Sequence, residues 1–164
     1  MTQPAVPIGT DLGAALGRLP SGLFILTTTL GGRDTGMLVS WVQQAGFDPP
    51  CVTVAVRRDR YIAEWIRQSG RFTLNQLAQG QRALIRHFAR GFEPDADAFA
   101  GIAVRRSEAG GLVLADALAF LDVEVIGSID SGDHRVFVGR VMGGAVIHPE
   151  GEPSVHLRRT GFHY

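Results

Sequence analysis

The sequence has very little cysteine: Cys51 is the only one among 164 residues. An intramolecular disulfide is therefore impossible, which excludes the small domains that depend on disulfides for stability. A chain of this length can bury a hydrophobic core without such cross-links. Cys51 itself lies in an apolar run, where the common role is that of a small buried hydrophobic residue and the less common one that of a redox thiol.

Charge of one sign and long apolar runs are also lacking. The 16 Lys and Arg residues balance the 16 Asp and Glu residues, so the positive surplus needed to bind nucleic-acid phosphates is missing. No apolar run approaches the roughly 20 residues of a membrane span. Residues 1–8 lack the basic start and apolar stretch of a signal peptide. We therefore expect a cytoplasmic globular protein with neither nucleic-acid nor membrane partners.

Several familiar site motifs are missing as well. The five histidines include no His-x-x-x-His pair, so no metal site is expected. No Gly-x-Gly-x-x-Gly follows a strand pattern, which excludes a Rossmann nucleotide fold. Ser131, Asp133 and His134 are too close in the chain to align as nucleophile, orienting acid and base of a catalytic triad.

Glycine, by contrast, is abundant, with 21 residues spread along the chain, as is typical of many tight turns between short strands. Helices are predicted from Thr10 as N-cap, from Asp59 as N-cap to a stop at Gly70, and from Gln81 to Ala89. Residues 91–111 show no regular pattern, and we expect mobile loops there. Alternating apolar residues predict strands over 23–29, 36–46, 51–56, 71–77, 121–125 and 135–141.

These elements predict one domain over residues 1–164, with residues 1–9 flexible. Many short strands separated by turns, with three short helices, indicate a mainly β protein built as a barrel with helical additions.

One stretch carries most of the functional information. A β run from Gly36 ends in Asp48-Pro49-Pro50, and the next run closes on Arg57-Arg58-Asp59-Arg60. An extended backbone edge offers N–H and C=O groups to the polar rim of a flat heterocycle. Arginines beside a helix N-terminus suit a phosphate. The combination predicts a site for a planar ring with a phosphate tail; the alternative is a plain barrel strand beside a solvated charge cluster.

The chain resembles the flavin reductase-like family in four segments that follow the family's order. Residues 38–41 and 155–159 are most similar to the flavin reductase module at the C-terminus of cyanobacterial flavodiiron proteins. The resemblance implies an antiparallel Greek-key split β-barrel (the FMN-binding split barrel) that forms a homodimer, with a flavin near the dimer interface. The four segments are residues 15–18 with 21–23, residues 36–50, residues 70–75 with Gln81 and Phe88-Ala89, and Gly132-Asp133-His134 with Gly161 and Tyr164.

The same resemblance and the residue chemistry give the cofactor-binding candidates. Residues 37–41 supply the backbone edge, the Ser40 hydroxyl reaches the ribityl chain or phosphate, and Trp41 stacks on the ring or narrows the site. One or two of the arginines bind the phosphate. Asn75 and Gln81 offer amides to the ribityl hydroxyls or the ring edge, or else bond neighbouring loops. The full set is Met37, Leu38, Val39, Ser40, Trp41, Arg57, Arg58, Arg60, Asn75, Gln81, Phe88 (a core or cofactor contact) and Tyr164.

His134 is the catalytic candidate, because the family's Gly-Asp-His motif places this histidine by the nicotinamide site. The flavin gains negative charge on its N1 side as N5 accepts hydride, and a nearby imidazole would stabilise that charge or orient the carboxamide. The alternative is a turn histidine that bonds the backbone.

The resemblance implies an NAD(P)H-dependent flavin oxidoreductase that binds FMN, or FAD, and takes hydride from NADH or NADPH. The reduced flavin or its electrons would pass to an oxygenase or a diiron redox partner. Trp41 stands where many relatives have a small hydroxyl residue or Phe, which favours FMN over FAD. Two alternatives stay open: a flavin-binding electron-transfer module without its own NAD(P)H turnover, and a split barrel for another flat ligand such as haem.

Overall fold

The computed structural model describes residues 10–163, so the predictions for residues 1–9 and Tyr164 lie outside the described residues. The expectation of a mainly β protein with short helices is confirmed. None of the helices in this range is long and apolar enough to cross a membrane. The helices are α1 (Thr10–Gly17), α2 (Tyr61–Ser69) and α3 (Arg82–Ala89). The strands are β1 (Ser21–Gly22), β2 (Phe24–Leu30), β3 (Arg33–Val39), β4 (Val42–Phe47), β5 (Pro50–Arg57), β6 (Arg71–Gln76), β7 (Val104–Arg106), β8 (Leu112–Leu114), β9 (Ala119–Ser131), β10 (His134–Val146) and β11 (Val155–His156).

Seven strands form one antiparallel sheet in the order β3-β2-β6-β9-β10-β5-β4. Its two edge strands, β3 and β4, are separated in the chain only by Ser40 and Trp41. The end of β3 and the start of β4 must therefore lie close together, so the sheet curls into a barrel with its seam at these two residues. The backbone N–H of Ala55 in β5 donates to the Trp41 carbonyl at this seam (3.0 Å).

The seam corrects one prediction, because the single strand expected over residues 36–46 is two strands. The chain pairs with β2 before Ser40 and with β5 after Trp41. The break carries no glycine or proline, which would have indicated a strand end, so the local pattern does not reveal the change of partner.

The start of α2 corrects a second prediction. Asp59 does not cap the helix: the N-cap residue is Arg60, without a side-chain hydrogen bond, and the Asp59 carboxylate accepts from Arg57 instead. The predicted end is correct. Gly70 has a φ of 68°, in the left-handed region that glycine adopts without strain, and its N–H donates to the Ile66 carbonyl.

The core has two parts because alternate residues of a strand face opposite sides. Leu26 of β2 packs inside the barrel with Val54 and Phe137. Its neighbour Ile25 faces outward and packs beneath α3 with Phe88. The strands of the barrel and the helix that covers them are thus held by adjacent residues of one strand.

A buried polar row holds the hairpin of β7 and β8 against the sheet. Thr27, Thr73 and Asp122 lie opposite one another on β2, β6 and β9. The Thr73 hydroxyl donates to Asp122 (2.8 Å), and the Thr27 hydroxyl donates to the Leu112 carbonyl (2.7 Å). Residues 91–111 were expected to be irregular throughout, but they include the short strand β7.

Candidate functional site

A cavity of about 300 Å³ lies beside the barrel seam, between β3, β5, the start of α2, and α3. Its volume is near the lower end of the range for sites that bind organic ligands. Most of the predicted site residues meet here although they come from distant parts of the chain. The predicted residues that line the cavity are Met37, Leu38, Val39, Ser40, Arg57, Arg60, Phe88 and His134.

The wall formed by β3 offers polar groups that the fold leaves unused. β3 is an edge strand that pairs with β2 on one side. Ser40 follows it, is only 3% exposed, and its Oγ has no hydrogen-bond partner among residues 10–163. Leaving a buried hydroxyl unpaired costs about 1–3 kcal/mol. A ligand that bonds Ser40 would recover that cost.

Gly36 shapes the inner end of the same wall. A Cβ at this position would lie 3.1–3.3 Å from Phe99, Phe88 and the Leu26 carbonyl, closer than nearly all such contacts. The absence of a side chain therefore lets the aromatic rings under α3 approach β3 and still leaves room for a ligand.

The basic end of the cavity has two arginines in different states. Arg57 is paired with Asp59, with Nη2 and Oδ2 2.7 Å apart. Arg60 has no acidic partner among the described residues, and its guanidinium lies against Gly91: a Cβ there would be 2.9 Å from Nη1. Gly91 has a φ of 72°, so a glycine is favoured at this point for two reasons. Arg60 is the cation best placed to bind an anionic group.

His134 occupies the third side of the cavity. It is 8% exposed, and its Nδ1 lies 2.7 Å from Oδ1 of Asp133. The hydrogen bond with His134 holds the pKa of Asp133 below its usual value, against a smaller opposing effect of desolvation. Asp133 is therefore a carboxylate at neutral pH and can only accept, so Nδ1 is the donor. A neutral ring then keeps Nε2 as an acceptor.

Four predicted residues do not line the cavity. Arg58 pairs with Asp130 (3.3 Å), and Trp41 stacks against His134. The Asn75 amide forms hydrogen bonds with the backbone of β8: its nitrogen donates to the Leu112 carbonyl, and its oxygen accepts from the Leu114 N–H. Gln81 accepts from the Ala78 N–H and donates to the Asp116 carbonyl. These two amides thus take the alternative role, bonds to neighbouring segments.

Other lining residues were not predicted, and most lacked a usable signal. His156 comes from β11, which reaches the site only because it pairs with β1. Tyr61 at the start of α2 could have been found, as it directly follows the basic turn; its hydroxyl bonds Thr35 (2.6 Å). Phe92 follows α3 in a segment with no regular pattern. The further residues are Leu23, Gly36, Ala55, Val56, Ile62, Ile85, Ala89 and Gly91.

Comparison with known proteins places the chain in one family. The model described as "Flavin reductase like domain" matches residues 16–163. A putative diflavin flavoprotein A 3 from a Nostoc species is 42% identical over 96% of this chain. Diflavin flavoprotein A 1 from Synechocystis is 40% identical over 96%. In each case the chain spans 28% of the relative's length.

Solved structures show the same fold. The nitrilotriacetate monooxygenase component B homologue of Mycobacterium thermoresistibile has a TM-score of 0.80 at 32% identity, covering 88% of this chain and 80% of its own. The NADH:FAD oxidoreductase SgcE6 of Streptomyces globisporus, in complex with NAD and FAD fragments, has a TM-score of 0.79 at 25% identity, covering 88% and 85%. With its antiparallel barrel and a family match over nearly its whole length, this chain belongs to the flavin reductase-like domain family.

Proposed function

We propose that this chain is an NAD(P)H:flavin oxidoreductase that binds FMN in the cavity at the barrel seam. The observation that carries the proposal concerns two residues of the cavity, Ser40 and Arg60. As far as the described part of the chain shows, the buried Ser40 hydroxyl has no hydrogen-bond partner and Arg60 has no acidic partner. The family match and the flavin reductases among the similar structures support it. The arginines that line the cavity suit the terminal phosphate of FMN.

Each side of the cavity has a task in this function. Ser40 and the free backbone edge of β3 hold a polar ring and its ribityl chain. Arg60 binds the phosphate, with Arg57 beside it. When bound, the flavin supplies the ring position that accepts hydride from the nicotinamide. His134, held through Nδ1 by Asp133, orients the nicotinamide by accepting an N–H of its carboxamide at Nε2.

A hydride-transfer experiment tests this function. Protein mixed anaerobically with FMN and NADH or NADPH should bleach the flavin band near roughly 450 nm, a property of the oxidised cofactor. His134→Ala should slow the bleaching about tenfold, since the group that orients the nicotinamide carboxamide is lost. Flavin affinity should change little. His148→Ala, which removes an exposed histidine bonded to the Ala115 carbonyl, serves as the control. Absence of bleaching with FMN and FAD, and with both nicotinamides, would reject the function.

A second candidate is an electron-transfer module without its own NAD(P)H turnover. The diflavin flavoproteins favour this candidate, because the part of them that this chain resembles is only 28% of their length. Such a module would exchange electrons with a separate partner, such as a diiron protein or an oxygenase. Tightly bound yellow flavin that NADH and NADPH leave oxidised would identify it. The spectrum of the purified protein also tells a flavin from haem.

We also propose that the chain acts as a homodimer, in the cytoplasm where nicotinamide nucleotides are found. Support for the dimer comes from an apolar sheet face that continues into the cavity. Ile129 is 66% exposed and lies opposite Val136, which lies opposite the cavity residue Ala55. An exposed apolar face of this kind is typical of an interface.

Ile129→Lys should convert the dimer to monomer, because the interface would have to bury an unpaired charge. Sedimentation equilibrium measures the change. Val146→Lys, at a similarly exposed position at the far end of β10, should leave the mass unchanged. If the protein without substitutions sediments as a monomer, the proposed dimer is contradicted.

A further inference from the structure

Three side chains form a column behind the cavity. The Trp41 and His134 ring centroids are 4.6 Å apart, with the planes tilted by 42°. On the Trp41 ring, the guanidinium carbon of Arg158 lies 5.0 Å from the centroid. Both distances are within the range of favourable stacking and cation–π contacts. His134 lines the cavity, whereas Trp41 and Arg158 do not.

The column is anchored by backbone on both sides. The Trp41 carbonyl accepts from Ala55 of β5 at the barrel seam. Arg158 belongs to the C-terminal segment that follows β11, and its N–H donates to the Gly17 carbonyl at the end of α1 (3.1 Å). The Leu23 N–H donates to the Ser154 carbonyl just before β11 (3.2 Å). The positions of Trp41 and Arg158 are thus set independently of any ligand.

Restraint of an imidazole needs two contacts, because one hydrogen bond leaves the ring free to turn about it. Asp133 fixes Nδ1 of His134. The indole of Trp41 lies against the ring and limits its rotation. Asp133 is exposed on a turn, so the rigid restraint comes from Trp41, which is itself in contact with Arg158.

We propose that Trp41 and Arg158 are positioning residues that act on hydride transfer through His134. The inference rests on the proposed function and deepens it, because it adds the C-terminal segment to the machinery of the site. It also replaces the expectation that Trp41 stacks directly on the flavin. Neither residue is a catalytic residue, since neither reaches the cavity.

A double-mutant cycle distinguishes this role from simple packing. Trp41→Leu should slow hydride transfer about fivefold, the scale of one aromatic contact, and leave the dissociation constant of FMN unchanged. In a His134→Ala background the same substitution should change the rate by less than about twofold. Arg158→Ala should slow the unchanged protein about twofold. Arg159→Ala, which removes an exposed neighbouring charge, should have no effect.

Tryptophan fluorescence reports the column without any turnover. The chain has two tryptophans, so Trp41 is the only emitter in a Trp65→Phe background. Arg158→Ala and His134→Ala should each move its emission to longer wavelength, because each removes a group in contact with the indole and lets water approach it. Arg159→Ala should leave the spectrum as it was.

The outcomes separate the positioning role from the function on which it rests. If the unchanged protein transfers hydride but Trp41→Leu slows it equally with and without His134, the positioning role is wrong. A loss of FMN affinity in Trp41→Leu matching the loss of rate would also overturn it, in favour of direct contact with the flavin. If the unchanged protein reduces no flavin, the proposed function itself fails, whatever the emission spectra show.

Discussion

An Arg60→Ala variant should bind FMN about thirtyfold more weakly than the unchanged protein, the scale of a lost charge-assisted contact. Its affinity for riboflavin, which is FMN without the phosphate, should change by less than about twofold. Titration of the flavin fluorescence measures both dissociation constants. The difference isolates the phosphate, because the ring and ribityl chain are common to the two ligands.

The expectation falls on Arg60 because the other arginines of the basic turn are engaged by carboxylates. Arg57 is held by Asp59 and Arg58 by Asp130. A guanidinium already paired with an acid gains less from a phosphate, since the new contact must replace the old one. The side chain of Arg60 has no such competitor among residues 10–163 and lines the cavity.

Arg58→Ala is the matched control. It removes the same charge from a residue that is two positions before Arg60 and does not line the cavity. This control should weaken the binding of FMN by less than about twofold, the small effect of a screened surface charge. Equal effects of the two substitutions would indicate a general attraction of the basic turn for anions. If Arg60→Ala loses affinity for FMN and for riboflavin equally, then Arg60 contacts the ring or the ribityl chain rather than the phosphate.

A second large effect is expected on stability, from Gly111→Ala. A Cβ at this position would overlap the Asp122 carboxylate and the Thr73 hydroxyl, both of which are at least 95% buried. The backbone of the segment before β8 would have to lift from the sheet, breaking the polar row that holds the hairpin. We expect a loss of about 3 kcal/mol in the free energy of unfolding, and a Tm lower by roughly 6–12 °C.

Gly143→Ala provides the comparison. Gly143 lies opposite Asp122 on β10, yet nothing is within 4 Å of a Cβ built there. This substitution should shift the free energy of unfolding by no more than about 0.5 kcal/mol. Urea unfolding of both variants gives the values. If Gly111→Ala and Gly143→Ala are similarly stable, then the segment before β8 can move away from the sheet at little cost in free energy.

Much of the fold was predictable because its signals are local. The end of α2 at Gly70 and the turn before β10 follow from glycines that adopt positive φ. β2, β5 and β6 follow from alternating side chains within a few residues. Asp59 shows the limit even at this range, because it was predicted to cap α2 and instead pairs with Arg57, two residues before it.

The membership of the site was less predictable, because it depends on partners far apart in the chain. Arg58 and its partner Asp130 are 72 residues apart. Asn75 was predicted to contact the cofactor or a neighbouring loop, and it bonds the Ile25 carbonyl of β2 and the β8 backbone, 37–39 residues further on. No pattern within either segment records these pairings.

The sequence by itself determined the family, the mainly β antiparallel class, and two segments that contribute to the cavity wall, residues 36–40 and the basic turn. Only the tertiary structure decided which of their side chains remain for a ligand. Within residues 10–163, the Ser40 hydroxyl has no hydrogen-bond partner. Arg60 has no acidic partner in the same range, whereas Asp59 and Asp130 bind Arg57 and Arg58. Composition and periodicity specify what each segment can form, whereas the pairing of distant strands specifies which polar groups are already used.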